Sequence, residues 1–136
     1  MNPLTRWCRF NLVGAAGMVV QFAALELFTR VAPGHYLFCT AAAVELTLLH
    51  NFVGHVHFTW RDRRDYSALA ERLARFHLSN GLVSLLGNLA IMWALAQRAH
   101  LPLLAANGVA ILSCSLVNFY LSDCWAFAER NGQASH

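Results

Sequence analysis

The chain contains no lysine, and charge of either sign is scarce: acidic and basic residues together make up 12% of its 136 residues. That is about half the share usual in a soluble domain. It also lacks a nucleophile motif, a glycine-rich phosphate loop and an acidic metal motif. No stretch outside the apolar segments is large enough to hold a soluble nucleotide. These absences argue against an enzyme. The four cysteines, Cys8, Cys39, Cys114 and Cys124, are scattered without disulfide or zinc spacing and read as small packing residues. With 57% hydrophobic residues in so short a chain, too little polar surface exists to cover the apolar mass in water. The net charge of +3 therefore belongs to membrane topology and anionic lipid, and no nucleic-acid partner is expected.

What is present instead is arginine. The ten basic residues are Arg6, Arg9, Arg30, Arg61, Arg63, Arg64, Arg72, Arg75, Arg98 and Arg130. The intervals Arg9 to Arg30, Arg30 to Arg61, Arg75 to Arg98 and Arg98 to Arg130 each accommodate one crossing of about 20 apolar residues. The sequence thus predicts an all-α polytopic membrane protein with four transmembrane helices, near residues 10–28, 36–58, 76–96 and 101–121. A cytoplasmic loop covers 59–75. A cleaved signal peptide competes for the first segment, but the apolar stretch runs on to Phe28 with no small-residue cleavage site. All the arginines except Arg30 and Arg98 fall on one side of this plan, and the positive-inside rule makes that side cytoplasmic. Both termini are then cytoplasmic, with Trp7, Trp60 and Trp125 at the same interface. In the loop, Tyr66, Leu69, Ala70, Leu73 and Phe76 recur at helical spacing. They predict either a short interfacial helix or an early start of the third span.

The chain repeats itself. Arg9-Phe10 returns as Arg75-Phe76, an offset of 66 residues. Asn51-Phe52-Val53-Gly54-His55 and the Phe58 and Trp60 that follow return as Asn118-Phe119-Tyr120-Leu121-Ser122, Trp125 and Phe127, an offset of 67. Two helices per repeat return each half to its starting side, so the repeats are parallel tandem hairpins about an axis along the membrane normal.

Polar groups inside a membrane need a partner or a purpose. Asn80, Ser84 and Asn88 form a stripe on the third span, and Asn107, Ser115, Asn118 and Ser122 share a face of the fourth; helix–helix hydrogen bonding is the leading reading of both. At about 100° per residue, Thr47, His50, Asn51, Gly54, His55 and His57 fill one arc of the second span. Glu45, near the bilayer middle, points away from that arc. Glu26 precedes Arg30 at ion-pair spacing. The histidines do not make a metal site: His55 and His57 diverge, while His50 and His57 lie about 10 Å apart along the axis. No metal or cofactor is expected.

At these residues the chain resembles the GtrA-like family of small four-helix membrane proteins, over about Arg9 to Phe127. The resemblance rests on Arg-Phe before a glycine-containing first span, the Asn-Phe-x-x-polar-x-x-aromatic ending of the second, and the return of both. It implies translocation of a polyprenyl-phosphate-linked sugar across the bacterial inner membrane for surface-polysaccharide or O-antigen modification. The family commonly has a second Asn and a basic residue at the endings, where His55-Val56 and Ser122-Asp123 stand here. In this reading the phosphate meets Arg9 and Arg75, with Arg61, Arg63 and Arg64 as further candidates, through the planar guanidinium fork. The sugar meets Asn51, His55, Asn118 and Ser122. Trp60, Trp125 and Phe127 are the interface aromatics. A homodimer is expected, since four helices enclose little space, and a membrane glycosyltransferase is a candidate partner. The alternatives are a proton-coupled exporter working through Glu45 and a scaffold for that glycosyltransferase.

Overall fold

The computed structural model describes residues 1–63 and 66–128. The described residues are helical throughout, apart from short turns. The chain divides into two units, Met1–Arg64 and Asp65–His136.

In the first unit, α1 spans Pro3–Val31. Asn2 caps it, its side chain accepting the Leu4 N–H at 3.0 Å, and Pro3 occupies the first turn, where a missing N–H costs nothing. The helix therefore starts well before the apolar stretch and carries Arg6 and Arg9 on its polar end. Gly34, at φ +91°, supplies the left-handed residue in the turn to α2, Tyr36–Gly54. A π-helical turn, His55–Thr59, continues α2 and is closed by the Trp60 N–H on the His55 carbonyl at 2.8 Å. A 3₁₀ turn, Arg61–Arg63, follows.

The second unit begins with a 3₁₀ turn, Tyr66–Ala68, and runs directly into α3, Leu69–Leu82. The loop residues from Leu69 are thus the early start of the third rod rather than a separate surface helix. The rod continues through a π turn, Val83–Gly87, α4, Asn88–Met92, and a second π segment, Trp93–Arg98. The fourth rod is α5, Leu103–Leu121, with a terminal π turn, Ser122–Ala126.

Away from its arginine end, each hairpin buries small residues and exposes large ones. Ala24, Cys39 and Ala43 are buried in the first unit, and Ala106, Ala110 and Cys114 in the second. Leu12, Val19, Phe22, Phe38, Leu85, Ile111 and Leu112 are exposed. This inverts the rule for proteins in water and is what hydrocarbon solvent permits, since small residues let helices approach and lipid covers the rest. Among the described residues, two helices are long and apolar enough to cross a bilayer by length and composition: Pro3–Val31, mean hydropathy 1.7, and Gly108–Ala126, 1.3. Only 17% and 28% of those windows are buried, unlike the core helix of a soluble protein.

The closest approaches differ between units. A Cβ on Gly17 would stand 2.7 Å from Cγ of Asn51, and one on Gly54 would stand 2.8 Å from Cγ1 of Val13. Glycine at both positions lets α1 and α2 touch backbone to side chain. In the second unit the rods are joined by amides: Asn118 Nδ2 donates to Ser84 Oγ at 3.0 Å, and Asn80 Nδ2 reaches Ser122 Oγ at 3.5 Å. The stripe on the third rod thus acts as interhelical glue at Asn80 and Ser84.

Candidate functional site

A helix leaves its last carbonyls without intrahelical donors and carries a partial negative charge there. The ends of α2 and α5 meet this need in the same way. Arg9 donates from Nη1 to the Phe58 carbonyl at 3.2 Å, with its guanidinium 4.8 Å from the centre of the Phe58 ring. Arg75 donates from Nη1 to the Trp125 carbonyl at 3.3 Å, with its guanidinium 5.9 Å from the Trp125 ring. An arginine from one rod caps the terminus of its neighbour and adds a cation–π contact.

Beneath each arginine lies an aromatic lock. The Phe10 ring stacks on His55 at 4.7 Å, and Trp60 meets both edge-on, at 5.9 and 5.3 Å. His55 Nδ1 and Thr59 Oγ1 share a hydrogen bond of 3.0 Å. In the second unit Phe76 meets Phe127 edge-on at 6.0 Å, and the Phe127 N–H closes the π turn on the Ser122 carbonyl at 2.8 Å. Widening the last turn by one residue swings Trp60 and Phe127 back against the preceding rod, consistent with the concentration of such turns at functional places.

The sequence-predicted residues fall into separate groups. Arg9 and Arg75 lie half-buried at matched ends, and Arg61 is exposed in the 3₁₀ turn with Arg63 half-buried beside it. Arg64 lies outside the described residues. His55 and Ser122 are buried at 2% and 0% exposure, Asn118 is buried, and Asn51 is half-buried against Gly17. Trp60 and Phe127, expected as interface aromatics, turn inward at 1% and 0% exposure; Trp125 alone of the three keeps 41%. His57 is exposed while His55 is buried, so the two diverge as their spacing predicts, and the polar arc on α2 ends at the π turn. Glu45 is exposed on α2 while Ala43 and Thr47 are buried. Glu26 and Arg30 form the expected pair, at 2.7 Å.

Sequence reasoning missed Arg6 and Arg72, both buried at 6% exposure. Arg6 binds Asp62 through Nη2 at 2.7 Å. Burial alone would raise the Asp62 carboxyl, but its own backbone N–H, the Arg6 guanidinium and the terminal ammonium together hold it below the usual carboxylate value. The missed signal was the triplet Arg6, Arg9, Phe10, returning as Arg72, Arg75, Phe76 at the same offset of 66.

The guanidinium ends are not electrostatically equal. Arg75 is also bound by Glu71, one turn earlier, whereas the contacts of Arg9 are the Phe58 carbonyl and ring. A guanidinium has five N–H donors, so both have capacity left for an anion, and among the described residues no carboxylate is paired with Arg9 as Glu71 is with Arg75.

Exposed large apolar faces, buried small residues and arginine-capped helix ends define the class: an all-helical integral membrane protein. A family model described as GtrA/DPMS, transmembrane domain, matches residues 9–131, and the chain belongs to that family. Membership sets it among proteins of glycosyl-lipid carrier processes. No curated protein matches the chain.

Proposed function

We propose that this protein moves a polyprenyl-phosphate-linked monosaccharide across the bacterial inner membrane, alone or as an accessory subunit, and carries out no covalent chemistry. In this reading the four rods are four transmembrane helices in two tandem hairpins, with both termini cytoplasmic, and the working form is a homodimer joined through exposed apolar faces. The arginine-rich ends stand where the lipid's phosphate enters from the cytoplasm. Arg9 and Arg75 bind the phosphate, and Arg61 and Arg63 draw it in. Asn51 and Asn118 meet the sugar, while His55 and Ser122, being buried, position the aromatic locks Trp60 and Phe127.

The observation that supports this reading best is the matched pair of capping arginines, each with N–H donors left over at the same end of its hairpin. The test is flux of a labelled polyprenyl-phosphate monosaccharide in reconstituted vesicles. The Arg9→Ala, Arg75→Ala double variant, folded by circular dichroism, is expected to lose most of the flux, whereas Arg→Lys at both positions keeps part of it as a point charge. Undiminished flux in the double alanine variant eliminates the phosphate role. A wild-type protein that co-purifies with a glycosyltransferase but moves no lipid identifies a scaffold instead.

A further inference from the structure

The amide and hydroxyl stripe on the third rod is only partly used within its own hairpin. Asn80 reaches Ser122, and Ser84 receives Asn118. Asn88, one turn beyond Ser84, is half-buried and makes no hydrogen bond among the described residues. The facing level of α5 offers it little: Ala110 is buried, and the Cys114 thiol is given to the Val83 carbonyl at 3.7 Å. Asn118 adds a second unused group. It is 7% exposed, it points its Nδ2 at Ser84, and its Oδ1 has no hydrogen-bond partner. Turning that amide round exchanges the two atoms and leaves one of them over all the same. In hydrocarbon such groups are costly. Lipid chains can fill the groove of about 360 Å³ that Leu82, Leu86 and Val117 line between the third rod and α5, but they cannot bond an amide.

The same stretch is shaped for a helix to come close. Gly81 is exposed, and a Cβ on it would meet nothing within 4 Å. Ser84 is exposed as well, with Leu78 and Leu85 beside it at 52 and 60%. Small residues let backbones approach in a membrane, and polar side chains then bond across the contact. The first hairpin differs here. Its matched amide, Gln21 at offset 67, is also half-buried and makes no hydrogen bond among the described residues. However, Gly17, one turn earlier, is closed by Asn51, and Met18 and Phe22 flank Gln21 at 58 and 72% exposure. Those large side chains hold a neighbouring helix off.

We propose that two copies of this chain meet on the face of the third rod that carries Gly81, Ser84 and Asn88, with the two Asn88 amides hydrogen-bonded to each other. The inference rests on the homodimer of membrane-crossing rods in the reading above and names its contact. A second copy is the partner that the chemistry selects. A side-chain amide holds both donors and an acceptor, so it complements itself. A two-fold axis along the membrane normal sets a residue against its own counterpart, and Asn88 then needs no other polar group. Ser84 keeps its hydroxyl hydrogen for the same contact, since its oxygen accepts from Asn118. One amide on an otherwise apolar and small-residue contact also fixes the register of the two rods.

The experiment uses the full chain, purified and reconstituted in phosphatidylethanolamine–phosphatidylglycerol vesicles over a range of protein-to-lipid ratios. For oxidative cross-linking, the exposed thiols Cys8 and Cys124 are replaced by serine. Leu85→Cys is expected to give a disulfide-linked dimer, whereas Phe22→Cys and Ile111→Cys, exposed on α1 and α5, give none. Energy transfer between donor-labelled and acceptor-labelled chains then measures association. Asn88→Leu is expected to weaken it at least about fivefold, about 1 kcal/mol, while Asn88→Gln, which keeps a self-complementary amide, retains most of it. Gly81→Leu, at an open position, holds the rods apart and weakens it without touching an amide. Gln21→Leu leaves it unchanged. A chain that stays monomeric at every ratio overturns the proposal. So does undiminished association in both Asn88→Leu and Gly81→Leu, or cross-linking through Phe22→Cys or Ile111→Cys as strong as through Leu85→Cys. Dimers that cross-link through Leu85→Cys but move no lipid overturn the translocation reading and leave this contact standing.

Discussion

The two hairpins solve one problem with different materials. Both must hold an arginine against the carbonyl end of a neighbouring helix, and both use an aromatic residue swung inward by a π turn. The first hairpin holds this with close packing and charge: Gly17 under Asn51, Gly54 against Val13, the stacked Phe10 and His55 with Trp60 edge-on to both, and the Arg6–Asp62 pair. The second sets Phe76 edge-on to Phe127, joins its rods by amide and hydroxyl bonds, and leaves a groove beside them. The difference teaches that the shared element is the capped helix end, while the wall beneath it is free to vary.

That contrast can be broken most forcefully at the locks. Trp60→Ala removes a buried ring that touches two others, and it is expected to lower stability by about 3–5 kcal/mol. Phe127→Ala, which removes a smaller buried ring, should cost less. Thermal unfolding in detergent ranks the two, and the reverse order would mean that the second ending is the tighter one. Next comes the glycine seal. Gly17→Val forces Asn51 aside and should cost about 1–3 kcal/mol, while Gly87→Ala, with 3.1 Å to a single sulfur, is expected to be milder in the same assay.

The charge pair predicts a smaller, pH-dependent asymmetry. The Asp62 carboxylate is the group of this pair whose titration bears on acid stability. Its value is depressed below the unfolded one of about 3.9. The stabilisation is therefore fully present above that pH and is lost as pH falls through the folded value. Because the Asp62 side chain is 37% exposed, solvent screening limits the effect to about 1 kcal/mol or less. Asp62→Asn should remove this part of the acid limb from melting curves; an unchanged limb would assign it to other carboxylates. Glu129 occupies the corresponding sequence position in the second hairpin and lies outside the described residues. The smallest expected effect is at Glu71→Gln. It costs about 0.3–0.5 kcal/mol as an exposed i,i+4 pair but frees Arg75, so binding of a polyisoprenyl phosphate to anion-free vesicles should tighten and grow more salt-dependent. No change would show that Glu71 does not shield Arg75.

Much of this plan was legible beforehand, for identifiable reasons. The spacing of arginines around apolar runs set the helical segments, because a bilayer demands a fixed length of apolar chain. The return of Arg-Phe and of Asn-Phe with its aromatics marked the two endings, because each ending draws on both rods of its hairpin. The roles of residues within the endings were not legible. A uniform helical period put His55 and His57 on divergent sides at the edges of one polar arc, and the structure buries the first and exposes the second. Tryptophan near charged residues suggested an interface ring, yet Trp60 is enclosed by Phe10 and His55. Arg6 and Arg72 read as topology, and they are buried.

The sequence by itself determined the solvent of this protein and the helical character of its chain. Both follow from local composition: too few charges to face water, and apolar stretches long enough to satisfy their own backbone in lipid. Only the tertiary structure decided which arginine caps, which is enclosed, and which aromatic turns inward. The deciding hydrogen bonds join residues 49 and 50 positions apart. Whether a carbonyl at the end of one helix finds its donor depends on how closely the neighbouring helix approaches, and no local pattern carries that distance.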